Sequence, residues 1–502
     1  MRRALVVLFV VVTALKVILA SRLQLFGDEA FYWACSRRLD LAYSDHPFMT
    51  ALLVRGGTAL LGDTTLGVRL LFLLCGALLV PVIYALGRRV GDERDAALAA
   101  ILLLALPLAG GATFLAVPDG PLLLLTGLAV LLVERAVRTG STAAWIGAGL
   151  CAGLALSTHY RGALLLASAG ALLFLTRAGR AHLRTPGPWL ALPIALAGLL
   201  PVLVFNARLD WEPLRFQAAE RHAVPRGPMA WLRYPVEQGL VVTPLLFVAL
   251  LVALWLAVRR ARRGDARAAV LACFALLPIG AFFLVSPITD SRHDYVHWPE
   301  PGYLPLLPLV PAVLAGWARQ GRAGRVLAVA TPALAVGITV GALLDGAAGG
   351  ATLRLARQFL GWSELAAATR ERLAQASPAG RDGDGGEARR PLLVADNYRA
   401  AAELQFLLRD GADVYVLNHR LNAEHGRALQ YRLWQRDEDG LHGRAGEPAL
   451  VVVETSENGG PRRAPWLAHV RSLFDPLEPR GVLPRAGGVR DFAFFEGRVA
   501  AR

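Results

Sequence analysis

The chain has 502 residues, of which 55% are hydrophobic and only 18% charged, and its formal net charge is +14. A soluble globular protein carries roughly 45–50% apolar and about 25% charged residues. The long apolar runs lie before residue 345 and the remainder reads as ordinary soluble protein. This excludes a single soluble enzyme, a disordered chain and a protein held by one anchoring helix, and leaves a multi-pass membrane protein with a soluble tail. No nucleic acid is expected as a partner, because no basic, aromatic-studded soluble face is evident.

In chain order, Met1-Arg2-Arg3 precedes an apolar run from Ala4 to Ala20. It lacks a small-residue cleavage pattern and reads as a retained first span. A spanning helix needs about 20 apolar residues. Runs of that kind fall at 4–20, 66–86, 96–117, 120–134, 143–158, 162–176, 189–205, 240–258, 268–286, 303–318 and 326–344, about eleven in all. With Met1 on the cytoplasmic side, the inner loops are 87–95, 135–142, 177–188, 259–267 and 319–325, and each is arginine-rich. That matches the positive-inside rule and puts the tail outside. The outer segments, 21–65, 118–119, 159–161, 206–239 and 287–302, hold most of the carboxylates, histidines and tryptophans of the membrane half.

The chain therefore divides into a membrane region over 1–345, a connecting helix and linker over 346–390, and a small α/β domain over 391–502. The stretch 377–390 is polar and turn-rich. Strands are expected at Leu392–Ala395, Val414–Leu417, Leu450–Glu454 and Phe492–Glu496, with a helix at Tyr398–Arg409. Cys35, Cys75, Cys151 and Cys273 form neither a disulfide framework nor a CxxC metal site.

Five short segments carry the chemistry. Asp28-Glu29 stands just past the first span, followed by Ala30-Phe31-Tyr32-Trp33. A carboxylate at such an interface is expected to have a raised pKa and a stronger basicity; an acidic pair at a helix N-terminus also suits the helix dipole. Asp45-His46-Pro47 lies in the same loop and suits a phosphate, a metal or a loop-ordering hydrogen bond. Asp119, in Val117-Pro118-Asp119-Gly120-Pro121, is either a helix cap or a site residue. Thr158-His159-Tyr160-Arg161 interrupts two apolar runs, and ionisable groups at that depth face a cavity or a partner. His297-Trp298-Pro299-Glu300-Pro301-Gly302-Tyr303 suits an interfacial belt, with His297 and Glu300 able to line a cavity. Together these groups recur on one face of an apolar bundle, which suits a lipid-linked anionic substrate with its phosphate at the membrane boundary.

In these segments the chain resembles the GT-C glycosyltransferases of the dolichyl-phosphate-mannose protein mannosyltransferase type, family 39, whose bacterial members include the lipid A aminoarabinose transferase. The resemblance rests on Gly27–Trp33, Tyr43–Phe48, Val117–Pro121 and His297–Tyr303 in the family's order, and covers residues 1–345. It implies a polyprenyl-phosphate–sugar donor, a glycan, lipid or protein acceptor, inversion at the anomeric carbon, and a place in the cytoplasmic membrane. It implies Asp28 and Glu29 as the catalytic carboxylates, Asp28 as the base for the acceptor hydroxyl, with His46, His159 and Arg161 at the donor phosphate. Asp45, Tyr160, His297 and Glu300 support the site, and Glu29 and Asp119 order it or hold a divalent cation. His46 and His159 stand where relatives carry lysine, and neutral imidazole is a poorer phosphate anchor. A flippase for a lipid-linked sugar would instead show midplane charges in two matching halves, and a non-catalytic assembly protein would tolerate substitution of Asp28 and Glu29.

Overall fold

The computed structural model describes all residues except 220, 222–224, 290–295, 350–355, 377–389, 410–412, 458–462 and 502. Among the described residues, eight helical segments are long and apolar enough to cross a membrane: Arg2–Arg22, Thr65–Val90, Asp119–Thr139, Pro186–Ala207, Pro244–Arg262, Ala266–Ile288, Glu300–Ala318 and Arg322–Ala347. Their outer faces carry exposed Val6, Val10, Leu78, Val248 and Val329, which in water would be a liability and in a bilayer is the lipid-facing surface. The chain is a multi-pass membrane protein.

The first elements are α1 (Arg2–Arg22), α2 (Gly27–Arg37), α3 (Met49–Leu61), α4 (Thr65–Val90) and α5 (Glu93–Leu104). They are followed by α6 (Asp119–Thr139), α7 (Thr142–Thr158) and α8 (Ala163–Leu175). The expected eleven full spans are not all found. The runs at 143–158 and 162–176 are the short helices Thr142–Thr158 and Tyr160–Leu175. At 1.5 Å per residue, 17 residues reach roughly 25 Å, short of a bilayer core of about 30 Å. The run at 96–117 breaks after Leu104, where Leu106 turns extended before Pro107 and a short wide turn covers Pro107–Ala112. The freed backbone groups find distant side chains. The Ala109 amide donates to Glu300 Oε1 at 2.8 Å, and the Thr339 hydroxyl donates to the Ala105 carbonyl at 2.7 Å. Conversely, the loop expected over 21–65 contains α2 and α3.

The arginine-rich ends gather at one end of the bundle. Arg2 lies 4.0 Å from Glu93, and Glu134 takes Arg138 at 3.3 Å and Arg267 at 3.1 Å.

The tail is a five-stranded sheet in the order β2-β1-β3-β5-β4. Its strands are β1 (Leu392–Ala395), β2 (Val414–Val416), β3 (Pro448–Glu454), β4 (Phe474–Ala486) and β5 (Arg490–Val499). The β1–β2 and β1–β3 pairs are parallel, and the β3–β5 and β4–β5 pairs antiparallel. The expected helix is Tyr398–Leu408, and a further helix, Trp362–Ala376, precedes the sheet. Apart from Arg390, the expected linker 377–390 lies outside the described residues. One face of the sheet shares a core with the first loop: Phe31, Trp33, Val54 and Phe72 pack in one cluster with Trp362, Tyr398, Phe406 and Phe492. This continuous apolar core fixes the tail over α2.

Candidate active site

Chain reversal after α1 brings α2 in with Phe26 extended at its N-cap and Asp28 and Glu29 in its first turn, where the helix dipole favours anions. The two carboxylates then diverge. Glu29 points into the protein and is fully buried. Its oxygens accept from Arg69 Nε at 2.8 Å and Nη2 at 2.5 Å, from the Ala116 amide at 2.8 Å and from the Phe26 amide at 3.3 Å. With its oxygens occupied in this way, Glu29 is a structural joint between α2, α4 and the segment before α6.

Asp28 faces the tail. Its Oδ1 accepts from the Tyr398 hydroxyl at 2.9 Å and from Arg427 Nη2 at 3.3 Å, and its side chain remains 34% exposed. Burial on its own would raise this carboxyl, but Arg427, His425, Arg399 and the Tyr398 hydroxyl outweigh it and hold Asp28 at about 2. The raised value expected from the interfacial position is therefore corrected: the tail supplies cations that the local sequence does not reveal. Burial and the Asp28 charge push Tyr398 up to about 12, so it keeps its proton and donates.

Asp45 is sealed. Its carboxylate is paired with the His46 ring and with Arg427, and its backbone carbonyl accepts from Gln217 at 2.7 Å. Burial raises the Asp45 carboxyl, and Arg427 and His46 overcome this and lower it. The His46 ring stands edge-on to His159 at 5.2 Å, and His159 stands 6.0 Å from Trp298. His159 is pushed well below the usual histidine range by burial and by Arg161. Its Nδ1 accepts from the Arg161 amide at 3.0 Å, so the neutral ring carries its proton on Nε2.

Arg161 Nη2 donates to Asp119 Oδ1 at 2.6 Å, and His297 Nε2 lies 3.8 Å from the same oxygen. Arg161 and Arg221 lie over the Trp298 ring at 5.5 and 5.9 Å. Tyr160 packs beside His159 at 6.4 Å. Glu300 is buried and turned towards the broken helix through Ala109. The structure thus joins Asp45, His46, His159, Arg161, Asp119 and His297 into one cluster beside Asp28, and sets Glu29 and Glu300 apart as backbone-holding carboxylates. Among the described residues, no group of three or more histidine, cysteine or carboxylate side chains is placed to hold a metal ion.

Sequence reasoning missed Arg427, Tyr398, Arg399 and His425 of the tail, and Arg221. Arg69 carried a signal, as an arginine inside an apolar run.

A family model described as dolichyl-phosphate-mannose-protein mannosyltransferase matches residues 45–205. Lipid A galacturonosyltransferase RgtD of Rhizobium johnstonii is 25% identical over 393 residues, covering 77% of this chain and 78% of that protein. ArnT of Cupriavidus metallidurans, in a crystal structure bound to undecaprenyl phosphate, is 19% identical, with 97% of each chain covered and a TM-score of 0.63. Its apo structure gives 18% identity, 98% coverage of each chain and a TM-score of 0.65. The chain is a glycosyltransferase of the GT-C fold, similar over residues 45–205 to the dolichyl-phosphate-mannose-protein mannosyltransferase type. The fold likeness spans the tail as well as the bundle. The archaeal oligosaccharyltransferase AglB of Archaeoglobus fulgidus, in complex with an inhibitory peptide and a dolichol-phosphate, shares the fold more distantly. It is 12% identical, with a TM-score of 0.52 over 90% of this chain and 69% of that one.

Proposed function

We propose that this glycosyltransferase moves a sugar from a polyprenyl-phosphate donor to an acceptor hydroxyl on the outer face of the cytoplasmic membrane, with inversion and with Asp28 as the base. One observation carries the reading. Of the carboxylates Asp28, Glu29, Asp45 and Asp119, Glu29 and Asp45 are buried within ion pairs, Asp119 is paired with Arg161 and 13% exposed, and Asp28 is 34% exposed. It is the one able to meet a substrate hydroxyl.

The acceptor oxygen attacks C1 of the sugar, the bond from C1 to the phosphate oxygen breaks, and the acceptor proton passes to Asp28. The phosphate leaves towards Arg161 and the Nε2–H of His159, with His46 and Arg221 beside them; fixed donors aimed at developing charge lower such a barrier. Arg161 supplies charge and His159 a neutral donor. The gathering of Arg2, Arg138 and Arg267 at the far end of the bundle supports a cytoplasmic N-terminus and an outer tail. The undecaprenyl phosphate bound by ArnT supports the donor class, and RgtD supports a glycolipid acceptor of the lipid A kind. No divalent cation is assigned a role.

General acid–base groups contribute about 10²–10⁴-fold. Asp28→Asn at normal abundance is expected to cut sugar transfer by about that factor, read by mass spectrometry of envelope glycolipids. Undiminished transfer overturns the base assignment.

A further inference from the structure

We propose that Arg427 of the tail is a positioning residue of the transfer reaction, so that the catalytic centre is complete only when the tail is docked over the first loop. This rests on the reading of Asp28 as the base and assigns a role to a segment without a sequence motif.

The Arg427 guanidinium is buried, 4% exposed, and lies 4.0 Å from the centre of the Phe31 ring. Burying a cation is costly unless carboxylates and hydrogen bonds offset it. Here the carboxylates come from two different segments. Nη1 meets Asp45, and Nη2 donates to Asp28 at 3.3 Å. One guanidinium therefore bridges the acidic pair of α2 and the Asp45-His46 element. Tyr398 shares the same oxygen of Asp28. Two donors on Oδ1 fix the plane of the carboxylate and leave its other oxygen to face the acceptor.

The backbone carrying Arg427 is held for this. Gly426 sits at φ +69°, which favours glycine, and a Cβ there would come within 2.4 Å of the Phe216 ring. The Gly426 carbonyl accepts from the Ser44 hydroxyl at 2.6 Å, and Gln430 Oε1 accepts from the Ser44 amide at 2.9 Å. The tail is thus clamped to the residue before Asp45, and the clamp sets how far Arg427 reaches towards Asp28. A purely cohesive residue would need only the Phe31 and Asp45 contacts. A phosphate ligand would not be committed to two carboxylates.

The test uses the full-length chain, with Arg427→Met and Arg427→Lys made beside Asp28→Asn. Transfer is read in membranes at matched abundance by mass spectrometry of envelope glycolipids, and undecaprenyl phosphate is the probe for binding to the purified protein. Misplacement of a reacting group by about 1 Å costs on the order of 10²-fold. Arg427→Met is expected to lower transfer per folded molecule by about 10–100-fold while undecaprenyl phosphate affinity stays within about twofold. Millimolar guanidine is expected to restore part of the loss. Arg427→Lys keeps the buried charge but cannot bridge both carboxylates, so it folds and transfers about tenfold more slowly. The inference is overturned if Arg427→Lys transfers at the wild-type rate, if loss follows only the amount of folded protein, or if undecaprenyl phosphate affinity falls more than tenfold. An inactive Asp28→Asn beside fully active Arg427 variants sinks this inference alone; an active Asp28→Asn sinks the base assignment.

Discussion

The Glu29–Arg69 pair offers the sharpest separation of structure from chemistry. All five N–H groups of Arg69 are used: two on Glu29, and one each on the carbonyls of Ala20 at 3.2 Å, Leu23 at 2.8 Å and Gln24 at 2.8 Å. These carbonyls close the end of α1, so one side chain joins α1, α2 and α4. Both partners are fully buried. Removing one partner of such a pair costs about 3–5 kcal/mol, because the other charge is left buried without compensation. Stranding the carbonyls adds about 1–3 kcal/mol for each group that water does not reach. Against a typical total stability of about 5–15 kcal/mol, Arg69→Met should leave little folded protein. Glu29→Gln keeps the shape and costs about 3 kcal/mol. The charge-free double variant Glu29→Met/Arg69→Met should be less destabilised than the sum of its single variants by at least about 2 kcal/mol. Tryptophan fluorescence during thermal or denaturant unfolding in detergent measures the cycle, and transfer per folded molecule measures the chemistry. Glu29→Gln should retain transfer within about tenfold. A Glu29→Gln protein that unfolds like the wild type yet transfers a thousandfold more slowly would falsify this reasoning and return Glu29 to the reacting groups.

Two other perturbations probe the seam between tail and bundle. Gly27→Ala places a Cβ 2.5 Å from Arg399 Cγ; overpacking of this kind costs about 1–3 kcal/mol, and trimming the stem with Arg399→Ala should recover most of the loss in melting temperature. Glu403 is buried with neither carboxylate oxygen hydrogen-bonded, and burial and then Glu29 push it well above the usual carboxylate range. A raised folded-state pKa means that the unfolded state loses its proton first, so Glu403 weakens stability as pH rises above about 4.3. Glu403→Gln should therefore raise the melting temperature at pH 7.5 and leave it unchanged near pH 4; an equal shift at both values would refute the assignment.

The sequence showed most of what length and charge decide. Apolar runs of about 20 residues stand out because the bilayer sets their length, and the arginine-rich stretches between them are plain in the sequence. What it hid depends on partners far along the chain. Pro107 and Gly110-Gly111 mark a break in the run 96–117, but the partners that satisfy the freed backbone, Glu300 and Thr339, lie far along the chain. Strand β4 contains Pro476, Pro479 and Pro484 and reads as a loop; it is allowed because it lies at the sheet edge. The cluster from Asp45 to His297 was legible because its members are rare polar residues at helix ends. Arg427 was not: His425-Gly426-Arg427 is an ordinary solvent-like tripeptide until the tail folds over Phe31.

The same hidden contact bears on how the proton moves. A carboxylate held at about 2 is fully ionised at neutral pH and weakly basic. It takes little from a free hydroxyl. It becomes an effective acceptor only as the hydroxyl oxygen bonds to C1 and turns acidic, which in oxocarbenium-like glycosyl transfer comes late, after the bond to the phosphate has largely broken. On the proposed reaction, the early part of the barrier then falls to the phosphate side, to Arg161 and the His159 Nε2–H. In the proposed reaction Asp28 stands charged near the reacting sugar before it serves as a base. This division of labour gives the tail cations a purpose. By keeping Asp28 ionised at neutral pH they give up some basicity and, in the proposed reaction, keep a negative charge where positive charge develops on the sugar.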